Sequence, residues 1–231
     1  MILLAWRSVV DVDDVEEQIR CLRDGGQLHD AATKALHAYG SELFGFLLSL
    51  LRNEQDASEV FSQTCEDLWL GLDRFEGRCS MRTWLYCLAR HAAARFRRSP
   101  HRRVGRQVPL SQLGELAERV RTETLRCRRT DAKDMLATLR ASLGDDDRTL
   151  LVLRIDRNMS WIDIARVFSP DGASDELATR EAARLRKRFQ LVKGEIRARA
   201  RRAGLMGEAE AKSPSRWDRL LLRVGETGRT R

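Results

Sequence analysis

At 231 residues the chain has room for one or two domains, and a net charge of +8 with a pI near 9.8 points to a polyanionic partner. Its five cysteines, Cys21, Cys65, Cys79, Cys87 and Cys127, are odd in number and lack Cys-x-x-Cys spacing, and the four histidines do not cluster with them, which argues against a disulfide framework and a structural zinc site. No stretch approaches the roughly 20 apolar residues that cross a bilayer, and the Met1–Arg7 segment is too short, with its charge on the wrong side, for a secretory signal. The expected location is the cytoplasm, with no membrane partner.

Residues 1–27 read as an N-terminal extension, followed by a helical block over 28–98. Its opening helix carries Leu36, Tyr39, Leu43, Phe46, Leu47 and Leu50. Asn53 is the next N-cap, with Glu54 and Asp56 in the first turn, where acids suit the positive helix end. Ala57, Val60, Phe61, Thr64, Leu68 and Leu72 then repeat at helical spacing. A polar turn over Asp73–Cys79 contains Gly77, and Ser80 caps a third helix with Trp84, Leu85, Leu88 and Ala92 inward. Three amphipathic helices on short connections predict a compact bundle.

Residues 99–130 read as a basic linker: Pro100, Gly105 and Pro109 stand among arginines over Ser99–Leu110, and a second helical pattern begins near Leu113. A second domain is assigned to 131–205, with helices expected over Asp131–Leu143, Asp145–Arg157, Ser160–Phe168 and Asp175–Ala203. Residues 206–231 form a polar tail in which Trp217, Leu220, Leu221 and Leu222 could make a short docking helix. The four prolines sit between helical patterns, and no useful period-2 alternation occurs. The predicted fold is all-α, two small helical domains joined by a basic linker.

Two constellations carry chemistry. In the second domain, Ser160 caps a short helix whose Trp161, Ile164, Ala165 and Phe168 share one face, and Pro170, Asp171 and Gly172 stop it. The following helix has an apolar stripe of Ala182, Leu185, Phe189, Val192 and Ile196. Arg180, Arg184 and Arg188 lie one above another away from that stripe, with Lys187 adjacent. This is the layout of a helix-turn-helix, whose second helix enters the DNA major groove; the plainer reading is a solvated basic face. In the first domain, Asp56, Glu59, Glu66 and Asp67 give a negative surface suited to a basic protein partner, while Arg82, Arg90, Arg95, Arg97 and Arg98 give a positive one suited to phosphate. Phe75 and Trp84 either stack on an unpaired base or belong to the core. No nucleophile–base pair, metal cluster or Gly-rich phosphate loop is present, so no enzyme activity and no cofactor are expected.

The ordered set, an acidic helix from Asp56 to Trp69, a Phe75-Glu-Gly77 loop, a Thr83-Trp84-Leu85 helix ending in arginines and a helix-turn-helix, resembles the extracytoplasmic-function sigma factors of bacterial RNA polymerase. The resemblance covers about Leu28 to Arg98 (region 2) and Met135 to Leu205 (region 4). It implies that Asp56, Ala57, Glu59, Val60 and Gln63 bind the clamp of the polymerase largest subunit. It further implies that Phe75 and Gly77 help capture a flipped −10 base, and that Thr83, Trp84, Leu85, Ala89, Arg90 and the neighbouring His91 lie where the strands separate. Ile164 and Ala165 match the first helix of the DNA-reading pair, and Arg184, Leu185 and Arg188 match the recognition helix that meets the −35 element beside the β flap. An anti-sigma factor is the protein inhibitor implied. The chain departs from the family in having Ser62 for Gln, His91 for Asn, a longer turn through Ser169–Thr179, and Thr179-Arg-Glu-Ala-Ala before the Arg-Leu pair. A stand-alone helix-turn-helix regulator and a non-specific nucleic-acid binder are the alternative readings.

Overall fold

A computed structural model describes residues 12–98, 111–130, 142–169 and 174–202. Among them the elements are helical and no strand occurs, so the fold is all-α. The chain divides into two compact units, Met1–Thr130 and Asp131–Arg231.

In the first unit the helices are α1 (Val12–Asp24), α2 (Leu28–Leu51), α3 (Glu54–Gly71), α4 (Met81–Arg98) and α5 (Ser111–Thr130). Helix α2 is the centre. The expected Leu36, Tyr39, Leu43, Phe46, Leu47 and Leu50 are buried, and so are Ala31, Ala32, Ala35, Gly40 and Phe44. A helix apolar on nearly every side must be covered on every side, and α1, α3, α4 and α5 all pack against it. Phe44 meets Phe61 of α3 at 5.3 Å between ring centroids, and Phe46 meets Tyr86 of α4 at 5.3 Å. The chain leaves α2 through Arg52 in a left-handed conformation (φ 59°), with its N–H on the Leu48 carbonyl. Asn53 then caps α3 as expected, its side chain accepting from the Asp56 N–H at 3.0 Å.

Two expectations are corrected. The 1–27 extension contains α1, which buries Val15 and Ile19 against α2. Its Glu16 reaches the start of α4: Oε2 accepts from Met81 N at 2.7 Å, and Oε1 from Arg82 N at 3.1 Å and from Tyr39 Oη at 2.7 Å. Ser80 also caps α4, as expected, accepting from Thr83 N at 3.1 Å. The 99–130 linker is likewise not all linker. Residues 111–130 form α5, which lies in the first unit and buries Leu116, Ala117, Val120 and Thr124 against α2 and α3. The missing side chain of Gly40 makes this approach possible, because a Cβ there would stand 3.2 Å from Val120 Cγ1. Arg121 fastens α5 to α3 by donating to Ser62 Oγ at 2.8 Å and to the Ser58 carbonyl at 3.4 Å. The arginine density of the segment points to solvent, yet its buried positions repeat at i, i+1, i+4 and i+8. The Ser99–Leu110 stretch lies outside the described residues.

In the second unit the helices are α6 (Asp145–Leu151), α7 (Trp161–Phe168) and α8 (Asp175–Arg202). The helix expected over Asp145–Arg157 begins with three acids in its first turn and widens into a π-helical turn over Val152–Asp156. Ala178, Ala182, Leu185, Phe189 and Val192 of α8 are buried, together with Ile164, Ala165 and Val167 of α7 and Leu150–Leu153. Thr179, placed in the turn from the sequence, is inside α8, and its Oγ1 donates to the Asp175 carbonyl at 2.8 Å. Most of the Asp131–Leu143 helix and the whole 206–231 tail fall outside the described residues.

Glu16 satisfies two otherwise free amides of α4 and a tyrosine hydroxyl. Glu16→Ala is expected to destabilise the protein by about 1–3 kcal/mol, the cost of a lost cap and unsatisfied donors, measured by urea unfolding.

Candidate nucleic-acid and protein interface

The acidic face of α3 is exposed at Glu59 and Gln63 and half-exposed at Asp56, Glu66 and Asp67. Gln63 Nε2 donates to Glu66 Oε2 at 3.1 Å and to Asp67 Oδ1 at 3.3 Å, which holds the row together. Val60, grouped with these residues from the sequence, is 1 % exposed and packs into the core. It lies one residue off the acidic row, on the stripe that faces α2, so it cannot touch a partner. Asp67 ion-pairs with Arg95 of α4, so the acidic and basic surfaces join there rather than standing apart.

The arginines of α4 divide by role. Arg82 is turned inward onto Glu42, with Nε to Oε1 at 2.6 Å and Nη2 to Oε2 at 3.0 Å. Arg97 donates to the Leu50 carbonyl at 3.2 Å, where the last carbonyls of α2 need donors. Arg98 bonds the Ala94 carbonyl in its own helix at 3.3 Å. Arg95, Arg97 and Arg98 are exposed, and Arg90 and His91 are half-buried further up the helix.

Phe75 follows the 3₁₀ turn Leu72–Arg74 and stacks on Trp84, with centroids 4.7 Å apart and planes at 26°. Both rings are half-buried, so each leaves surface to solvent. Gly71 makes room for the indole, since a Cβ there would lie 3.2 Å from Trp84 Cζ2. Gly77, with φ +70°, turns the loop in a conformation that L side chains disfavour. The guanidinium of Arg23 in α1 stands 5.5 Å from the Phe75 centroid, and its Nη1 donates to the Phe75 carbonyl at 3.1 Å.

In the second unit Ser160 caps α7, accepting from Asp163 N at 3.1 Å while its hydroxyl donates to Asp163 Oδ2 at 2.6 Å. Arg166 of α7 ties to Asp175 at the start of α8 at 2.9 Å. Trp161 is half-buried and edge-on to Phe189 at 5.4 Å, and the guanidinium groups of Arg154 and Arg186 lie over its ring at 4.9 and 5.5 Å. Burial first, and then Arg186, lower the pKa of Arg154. Arg180, Arg184, Lys187 and Arg188 are all exposed on α8. Arg180 pairs with Glu176 and Arg184 with Glu181, each at 2.6 Å within the helix. Arg188 differs: it makes a two-pronged pair with Asp147 of α6, at 2.7 and 2.6 Å, and Asp147 is only 12 % exposed. Arg188 therefore fixes α6 against α8 as well as presenting charge.

Residues 35–103 match the family model of sigma-70 region 2. The match supports a sigma-70 family sigma factor, a transcription initiation factor rather than an enzyme, and a region 2 implies binding to the RNA polymerase core and to promoter DNA. It spans less than half of the chain and contains Asp56, Glu59, Gln63, Phe75, Trp84, Arg90, His91, Arg95, Arg97 and Arg98. No curated protein matches the chain. Among the described residues no helix is long and apolar enough to cross a membrane, and no group of His, Cys, Asp and Glu could hold a metal ion.

The sequence reading missed Glu16, Arg23, Gly71 and Arg121. Glu16, Arg23 and Arg121 act across long stretches of chain, whereas Gly71 meets a residue of the next helix; the amphipathic spacing around Val15 and Ile19 is the one signal that α1 belongs to the core. Asp147 stands in the acidic first turn of α6, and nothing in the sequence around it announces its pairing with Arg188, 41 residues away. The two arginines of α8 should therefore separate in a stability measurement. Arg188→Ala is expected to lower the thermal midpoint of the protein clearly, because it strands a nearly buried carboxylate. Arg184→Ala should shift the midpoint much less, because Arg184 is itself exposed and its pair with the partly buried Glu181 lies within one helix.

Proposed function

We propose that the chain is an extracytoplasmic-function sigma factor that directs core RNA polymerase to its own class of promoters in the cytoplasm. Its region 2 would be the α2–α4 bundle, and its region 4 the unit over 131–205. The match of residues 35–103 to sigma-70 region 2 carries the reading. In it, Glu59 and Gln63, which are exposed on α3, and the half-exposed Asp56 dock on the clamp of the largest subunit. The Phe75–Trp84 pair receives a −10 base that has left the helical stack. Reading a base by its edge requires such flipping, at a cost of about a few kcal/mol, and stacking on an aromatic ring returns about 1–3 kcal/mol. Arg90, His91, Arg95, Arg97 and Arg98 attract the phosphates beside it without reading sequence.

Arg180, Arg184, Lys187 and Arg188 on α8 face the −35 element in this proposal. Arg180 and Arg184 are exposed and their intrahelical pairs are worth at most about 1 kcal/mol each, so a phosphate or a guanine edge can take either arginine over. Exchanging one weak charge partner for a bidentate base contact supplies discrimination of about 1–3 kcal/mol.

Reconstituted transcription tests this. Core polymerase plus the full-length protein, given a random promoter library, is expected to yield transcripts from one promoter class, and Arg184→Ala should weaken only −35-dependent members. Transcription no better than with core polymerase alone would contradict the proposal.

A further inference from the structure

We infer that Arg23, on a helix outside the segment matched to region 2, is a positioning residue for the Phe75 loop and sets its base discrimination. The inference rests on the reading that this loop captures a −10 base. Arg23 is a charged side chain only 18 % exposed, and such burial is tolerated when the guanidinium is fully engaged. Nε and Nη2 donate to Asp24 Oδ1 at 2.9 and 2.6 Å, which fixes the plane of the fork. With the plane fixed, Nη1 points across 52 residues of sequence to the Phe75 carbonyl at 3.1 Å. The same cation lies 5.5 Å from the Phe75 centroid, so one side chain holds both the backbone and the ring. Gly77 turns the loop at a φ of +70°, which favours glycine; a Cβ there would make only ordinary contact with Nη1, at 3.6 Å.

The local alternatives are weaker. Phe75 N–H reaches the Leu72 carbonyl at 3.3 Å, a long bond within the same turn. Trp84 supports the ring but not the backbone. Helix α1 itself cannot drift, because Glu16 anchors it to the first amides of α4, the helix that carries Trp84. Thus α1 spans both halves of the stack, with Glu16 on the Trp84 helix and Arg23 on the Phe75 loop. Without Arg23 the ring keeps its hydrophobic contact and loses its fixed orientation, so a base would still stack but would be selected less well.

The test uses holoenzyme assembled from core polymerase and full-length protein, wild type, Arg23→Gln, or Arg20→Gln as a control on the exposed face of the same helix. The probe is the single-stranded non-template strand of a promoter recovered with the wild-type holoenzyme, with each base in turn at every −10 position. Arg23→Gln is expected to weaken capture roughly tenfold, the size of one charge-assisted hydrogen bond, and to flatten discrimination at one position, with core binding unchanged. Arg20→Gln should behave as wild type. Undiminished discrimination in Arg23→Gln would overturn the inference alone. Loss of core binding together with capture would also overturn it, by making Arg23 a residue of the fold at large. A wild-type holoenzyme with no single-strand discrimination would overturn the base-capture reading itself and the inference with it.

Discussion

The first unit depends on one carboxylate. Glu16 of α1 accepts from Tyr39 of α2 and from the two opening amides of α4, so it joins three helices at one point. Burial first, and then Glu16, raise the pKa of the Tyr39 phenol, which therefore stays a donor at any physiological pH. Fixing the start of α4 fixes the side chains one turn later. Trp84 then falls against Gly71 and under Phe75, and Thr83 and Leu85 fall into the core. A short acidic helix at the edge of the sequence thus determines the geometry of the aromatic pair on which base capture would rely.

The basic character of the chain is only partly available to a polyanion. Arg82 completes the fold on Glu42, whereas Arg97 closes the end of α2 and still stays exposed. Arg95 and Arg188 do both, pairing with Asp67 and Asp147 while remaining about half exposed. Arg180 and Arg184 are themselves exposed and pair within their own helix, with Glu176, which is exposed, and Glu181, which is partly buried, so another anion can replace those neighbours at little cost. The pairing also gives each guanidinium a defined direction before DNA arrives, which lowers the entropy lost on binding. Net charge alone overstates how many contacts are ready, and the partner of each arginine sorts them.

Much of the fold was legible in the sequence because it is written in local periodicity. The stripes of α2, α3, α7 and α8 and the caps Asn53, Ser80 and Ser160 all lie within a few turns of chain. Two things were not legible. Helix α5 carries its apolar residues among arginines, and the density of charge concealed a stripe that Val120 and Gly40 make real only when α2 is beside it. Val60 shows the opposite error: a motif grouped it with acids that face outward, while its place on the wheel of α3 turns it into the core. Of the site, the aromatic pair and the exposed arginines could be named from the sequence. Their supports, Glu16, Arg23 and Asp147, could not, because a contact across 41 to 66 residues leaves no local trace.

The chain is proposed to work on core polymerase rather than on DNA alone. The most direct measurement is binding of the full-length protein to purified core polymerase without DNA, across a salt series, beside its binding to duplex DNA without polymerase. The expected result is a stable equimolar complex with core polymerase that weakens when Glu59 and Gln63 are both changed to Lys, and only weak, salt-sensitive binding to duplex DNA. No complex with core polymerase, together with tight sequence-specific binding of the free protein to duplex DNA, would contradict it.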